Sequence, residues 1–182
     1  VHILSRADSC VFVCKLQMQY WLKKYPKLAA KSTAIYNGVD VDRYDPASNY
    51  ELPASLDQIN QDSHLSITCL AAFRPEKRHD ILLRVFAQLP GKPTLLLAGA
   101  GPLRNKVQKQ AEELAVADRV KFLGLVKDVR PLLARSDVTI LTSTAVETFS
   151  IAMLESMSMG VPMVSPDIGG AREAIEHGVT GY

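Results

Sequence analysis

From residue 65 onward, short apolar and β-branched runs alternate with longer stretches of helical period, the pattern of a parallel sheet covered by helices. LSITCLAAF (65–73), TLLLA (94–98), RVKFL (119–123), DVTILT (137–142) and VPMVS (161–165) predict strands. HDILLRVFAQL (79–89), PLRNKVQKQAEELAVA (102–117), DVRPLLARS (128–136), SIAMLESMSM (150–159) and GAREAIEH (170–177) predict the helices that follow them. Strands that are apolar along their whole length are buried on both faces, so the expected class is α/β, a doubly wound, Rossmann-like parallel sheet. In such sheets ligands sit beyond the carboxyl ends of the strands, which makes the loops after each strand the places to look for chemistry.

A further unit comes first: CVFVC (10–14), then LQMQYWLKKY (16–25) stopped by Pro26, then STAIY (32–36) closed by the turn Asn37-Gly38. Residues 43–64 contain turn formers and few large apolar side chains, and predict a linker at a domain seam. The 21 basic and 19 acidic residues give a net charge of +2, too even for a general nucleic-acid binder. No run of 18 apolar residues offers a membrane span, so the expected location is the cytoplasm. Cys10, Cys14 and Cys69 have no C-x-x-C spacing and read as buried thiols, not as a disulfide framework or zinc site. The chain starts at Val1 without a secretory signal and stops at Gly181-Tyr182 where a new strand is due, so it reads as a fragment, truncated at both ends.

Three loops carry candidate chemistry. GAGPLR (99–104) follows a strand and opens a helix, but Arg104 replaces the third glycine of a dinucleotide fingerprint and Asp118 precedes a strand instead of ending one. It reads as a tight turn with Pro102 as the first helical residue. FRPEKRHD (73–80) gathers Arg74, Lys77 and Arg78 and reads either as a solvated basic loop or as a cluster for an anion, with His79 a polar helix-end residue. ETFSIAMLE (147–155) places Glu147 in the loop after a strand, Ser150 at the helix N-cap and Glu155 in the second turn, roughly 7 Å along the helix at about 1.5 Å per residue. The unpaired N–H groups of the first turn lie between the two acids and make a ready phosphate site. Carboxylate, anion hole, carboxylate is also the order in which a nucleoside diphosphate sugar presents its sugar hydroxyls, diphosphate and ribose diol. Two glutamates near a helix start are also explained by the helix dipole alone.

Together E-x7-E (147–155), P-E-K (75–77), G-x-G-P-L (99–103), F-L-G (122–124) before D-V-x-x-L-L (128–133), G-V-P-M-V-S (160–165), and G-G-x-x-E (169–173) before G-V-T-G-Y (178–182) resemble the retaining GT-B glycosyltransferases of family 4, group 1, over about residues 5–182. The resemblance implies two Rossmann-like domains facing each other across a cleft. Residues 1–40 would be the remnant of the N-terminal, acceptor-side domain and hinge, and 41–182 an incomplete C-terminal nucleotide-sugar-binding domain. It implies that Glu155 binds the ribose hydroxyls, that Glu147 positions the donor sugar and that Lys77 contacts the phosphates. Backbone N–H groups at Phe149, Ser150 and Ile151 would hold the diphosphate, Gly124, Leu125 and Val126 would read the nucleobase, and Gly169 and Gly170 would face the donor. Glu173 would touch the sugar or cap its own helix. Many members carry an arginine five residues before the lysine; here that position is Ala72, and Arg74 is the substitute cation.

The implied reaction moves a sugar, with retention, from a nucleoside diphosphate sugar to a glycan or lipid-linked acceptor, with no divalent metal or other cofactor because cations and helix N–H groups carry the departing charge. A catalytically silent nucleotide-binding module and a GT-B-fold nucleotide-sugar epimerase are the alternatives. Lys15, Lys23, Lys24, Lys27 and Lys31 near Tyr20 and Trp21 read either as a peripheral lipid contact or as an ordinary solvated helix face.

Overall fold

The computed structural model describes residues 4, 6–51, 65–145 and 147–182, so the predicted linker lies outside the described residues from 52 to 64. The chain first makes a short parallel pair, β1 (Cys10–Phe12) and β2 (Ser32–Ala34), joined by helix α1 (Lys15–Lys24) and a 3-10 turn at Pro26–Lys31. Cys14 ends the first strand early by becoming the N-cap of α1, its Sγ accepting the Gln17 N–H at 3.3 Å. Cys10, Phe12 and Leu28 form a small core with Met18, Trp21 and Leu22. Trp21 stacks on Tyr25 at 5.9 Å inside this cluster, while Tyr20 faces outward and its hydroxyl accepts from Lys24 Nζ at 2.6 Å.

The main sheet has five parallel strands: β3 (Ser66–Leu70), β4 (Thr94–Ala98), β5 (Val120–Gly124), β6 (Val138–Ile140) and β7 (Met163–Val164), in the order β5-β4-β3-β6-β7. The five predicted strands are these five. β4 shows why a fully apolar run suits this position: Leu95 and Leu97 enter a core with Phe73, Leu83, Phe86 and Val107, while Leu96 and Ala98 pack with Leu132 on the opposite face. Buried polar groups in β3 are paired, Thr68 Oγ1 with Ser136 Oγ at 2.6 Å and the Ser66 N–H with Asp137 Oδ2 at 2.7 Å.

Helices α2 (His79–Phe86), α3 (Arg104–Glu113), α4 (Arg130–Leu133), α5 (Ile151–Ser158) and α6 (Ala171–Ala174) are all shorter than their apolar periodicity suggests. α3 ends because Ala115 turns left-handed (φ 54°), with its N–H on Glu112 O and the Val116 N–H on Ala111 O, a Schellman close. Pro102 lies in the turn before α3, not at its first position. That turn is tight because a Cβ on Gly99 would lie 2.1 Å from Ala71 O, and one on Gly101 2.6 Å from Phe73 O.

All three cysteines are free and buried; burial pushes the Cys69 thiol up to about 12. Among the described residues no helix is long and apolar enough to cross a membrane. From β3 the chain builds outward through β4 to β5, then returns to lay β6 on the other side of β3. The strand order therefore reverses between β3 and β6, and a crevice opens beyond their carboxyl ends.

Candidate functional site

Two loops meet at that crevice. After β3 the chain buries Phe73, makes a 3-10 turn at Pro75–Lys77, and enters α2 through Arg78, whose left-handed φ of 49° sharpens the turn. Arg78 holds the Asp80 carboxylate through Nε and Nη2 at 2.8 and 2.9 Å, and this contact draws Asp80 down to about 2 against the opposing effect of burial. His79 stacks under Phe73 with ring centroids 4.4 Å apart. It is 3% exposed, and neither ring nitrogen has a hydrogen-bond partner among the described residues. Burial, reinforced by the nearby Lys77 charge, lowers His79 to about 4, so the ring is neutral at physiological pH.

The second loop follows β6 and is stitched to the first. Thr142 Oγ1 donates to Lys77 O at 2.8 Å and the Thr144 N–H to Glu76 O at 3.0 Å. Lys77 Nζ then donates to Glu147 Oε2 at 2.6 Å, and Ser143 Oγ donates to the same oxygen at 2.8 Å. The two charged side chains are only 20% and 16% exposed. Glu147 Oε1 has no donor among the described residues, and two of the three ammonium N–H directions of Lys77 stay available. The pair therefore presents cationic donors and one anionic acceptor side by side.

Helix α5 starts four residues after Glu147. Ser150 Oγ accepts the Met153 N–H at 3.3 Å as N-cap, and Phe149 is buried among Cys14, Leu141, Met153 and Met163. The N–H groups of Ile151 and Ala152 have no partner within any α-helix, so the positive end of α5 opens beside Glu147. Farther along, Glu155 Oε1 accepts the Tyr44 hydroxyl at 2.6 Å. Gly169 braces the loop from behind, and Gly170 donates its N–H to Thr148 O at 2.6 Å. On the other flank, Gly124 (φ 69°) ends β5, and Leu125, 76% exposed, lines with Val126, Ala72, Gly99 and Ala100 an apolar groove of about 270 Å³.

The structure thus brings Lys77 and Glu147 into contact and sets Phe149, Ser150, Ile151 and Glu155 along the same loop-helix junction. Arg74 lines a groove with His79, Leu103 and Lys106, and its side chain makes no ion pair among the described residues. Glu173 does not cap its own helix. Its carboxylate accepts the Lys15 and Leu16 N–H groups at 2.9 and 2.7 Å and the Tyr36 hydroxyl at 2.7 Å, capping α1 of the first unit. Burial pushes Glu173 up, but these hydrogen bonds outweigh it and leave the acid below its ordinary value, while the same bond pushes Tyr36 up to about 12. Glu173→Ala is expected to cost about 1–2 kcal/mol. Urea unfolding followed by Trp21, the single tryptophan and a residue of α1, reads that loss; an unchanged midpoint would show that the cap adds nothing.

Tyr44, Tyr36, Asn37 and Ser143 are site neighbours to which no sequence motif points. Asn37 Nδ2 donates to Phe149 O at 2.9 Å. Their partners, apart from that of Ser143, lie more than a hundred residues away, beyond the range of any local pattern.

Residues 57–182 match the family described as glycosyl transferases group 1. The chain is 38% identical over 115 residues to N-acetyl-alpha-D-glucosaminyl L-malate synthase of Bacillus anthracis, covering 62% of this chain and 30% of that protein. It is 31% identical over 157 residues to a GDP-mannose-dependent alpha-(1-6)-phosphatidylinositol monomannoside mannosyltransferase of Mycobacterium tuberculosis, covering 79% of this chain and 40% of the relative. The crystal structure of Anabaena Alr3699/HepE in complex with UDP-glucose superposes with a TM-score of 0.83 at 28% identity, covering 97% of this chain and 49% of that one. The chain therefore spans half or less of the proteins it matches. With a Rossmann-like parallel sheet, a crevice at its reversal point and a family match over most of its length, this chain belongs to the group 1 glycosyltransferases of GT-B fold.

Proposed function

We propose that the chain is the donor-binding part of a retaining glycosyltransferase that moves a sugar from a nucleoside diphosphate sugar to a glycan or lipid-linked acceptor. The Lys77–Glu147 pair carries this reading: a part-buried ammonium and a carboxylate with one free oxygen, side by side at the strand-order reversal and next to the open first turn of α5. A diphosphate suits Lys77 and the N–H groups around Phe149, Ser150 and Ile151, which together oppose the charge that grows on the leaving group. Glu147 Oε1 then accepts a hydroxyl of the sugar, and Glu155 those of the ribose. The apolar groove beside Gly124, Leu125 and Val126 takes the flat base, and Gly169 and Gly170 hold the loop against the donor. Residues 1–40 form the end of the acceptor-side domain, and the chemistry needs no divalent metal on this account. The bound UDP-glucose of the Anabaena neighbour and the GDP-mannose dependence of the mycobacterial relative favour a nucleoside diphosphate sugar without choosing its base.

Calorimetric titration of the chain with UDP, GDP and ADP, with and without EDTA, tests this. One nucleotide is expected to bind in both conditions. Glu155→Ala and Lys77→Ala are each expected to weaken it by about 1.5–3 kcal/mol, roughly tenfold to over a hundredfold. Binding that survives both substitutions in folded protein would place the nucleotide elsewhere. The isolated chain is expected to transfer no sugar, because it spans half or less of the two-domain proteins it matches.

A further inference from the structure

The segment after the first unit folds back onto α5. Asp40 shapes it: its carbonyl accepts the Arg43 and Tyr44 N–H groups at 3.2 and 3.0 Å, and its Oδ1 accepts the Asp42 and Arg43 N–H groups, each at 3.2 Å. Arg130, itself clamped on Asp128, donates from Nη1 to Arg43 O at 3.2 Å. Tyr44 is then held at both ends. Ser158 Oγ donates to its carbonyl at 3.2 Å, its ring packs on the Leu133, Met159 and Val161 cluster, and its hydroxyl donates to Glu155 Oε1 at 2.6 Å.

This arrangement does something specific to Glu155. A glutamate on a helix surface samples several rotamers, and fixing one of them costs binding entropy when a ligand must do it. Here the chain fixes it in advance. Oε1 is taken by Tyr44, while Oε2 has no donor among the described residues. Burial, and then the Glu155 contact, push Tyr44 up to about 12, so the phenol stays protonated and donating across the working pH range.

We propose that Tyr44 is the positioning residue that presets the Glu155 carboxylate to accept a ribose hydroxyl, so that discrimination of a ribonucleotide from its dideoxy form depends on a residue contributed from outside the sheet. This rests on the reading of Glu155 as the ribose acceptor. Tyr44→Phe keeps the ring in its apolar seat and removes only the donor. The test is calorimetry on the 182-residue chain with whichever of UDP, GDP and ADP binds best and with its 2′,3′-dideoxy form, for the unaltered chain, Tyr44→Phe and Glu155→Ala.

Tyr44→Phe is expected to weaken the ribonucleotide about fivefold to tenfold and to leave the dideoxy form nearly unchanged, shrinking the ratio between them. Equal weakening of both ligands would make Tyr44 a packing residue and overturn the proposal. So would a ribonucleotide affinity that does not move in Tyr44→Phe while it falls in Glu155→Ala. If Glu155→Ala has no effect, or nothing binds the unaltered chain, the reading of Glu155 fails first and the inference falls with it.

Discussion

Gly169→Ala should abolish nucleotide binding for practical purposes and destabilise the chain by about 2–5 kcal/mol. Two costs add. Gly169 has φ 57°, where an L side chain costs about 1–2 kcal/mol, and its Cβ would sit 2.2 Å from Glu147 O and 2.6 Å from Thr148 O. Backbone cannot swing aside as a side chain can, so overpacking of about 1–3 kcal/mol follows. Relief comes only if the 147–149 loop retreats, which drags Glu147 from Lys77 and spoils the entry to α5. A shift on the order of 1 Å at such a junction costs about a hundredfold in function. Gly91→Ala is the matched control: its φ is 76° and nothing lies within 4 Å of the added Cβ, so it should show the conformational cost alone. Urea melts and nucleotide titrations of the two variants separate the costs. Equal stability losses, with binding intact in both, would mean that the close approach at Gly169 is not held in solution.

Acid should destabilise the chain long before its ordinary carboxylates protonate. His79 is lowered to about 4 in the folded chain, chiefly by burial with help from the Lys77 charge and against the pull of Asp80. Unfolded, it has an ordinary value near 6.5. The unfolded chain therefore takes up its proton first, and stability that is complete above about pH 6.5 falls with decreasing pH until about pH 4, by about 3 kcal/mol in total. Asp80 acts in the same direction in a lower window. Its depressed value means a contribution lost from its ordinary range down to about 2, and with the carboxylate 40% exposed that loss is small. His79→Leu removes the upper window. It also removes two buried nitrogens without partners, so at pH 7 it should be neutral or mildly stabilising. Denaturant midpoints measured between pH 4 and 7 check this; a slope that persists in His79→Leu would assign the acid sensitivity to another group.

The sheet was largely legible because its strands are buried on both faces. Leu95, Leu96, Leu97 and Ala98 must all be apolar when helices cover both sides, and few folded settings besides a central strand demand so short and unbroken a run. Helix ends were less legible: the left-handed turn at Ala115 follows from tertiary packing, and alanine itself favours continuation. For the candidate site, the residue types were readable and their directions were not. Arg74 and Ala72 are two apart, a spacing that keeps one face along a strand, but β3 has ended at Leu70 before either residue and the turn at Pro75 follows, so strand alternation fixes no direction for the guanidinium. Glu173 reads as a helix-start acid, yet it serves the start of a different helix. Tyr44 carried no signal at all, because its role exists only when residues 44 and 155 meet. His79 showed the reverse: a polar letter at a helix mouth that is in fact core, stacked on Phe73.

The reversal of strand order also dictates a sequence of assembly. β3, β4 and β5 follow one another along the chain and can pair as they emerge, each closing a modest loop. β6 must instead return to β3 across about seventy residues, pairing Ile67 with Val138, and this closure carries the larger entropy cost and waits for a partner surface to exist. Lys77 belongs to the early half and Glu147 to the late one. Their meeting is thus among the last contacts to form, and a chain that has built most of its core can still lack its crevice.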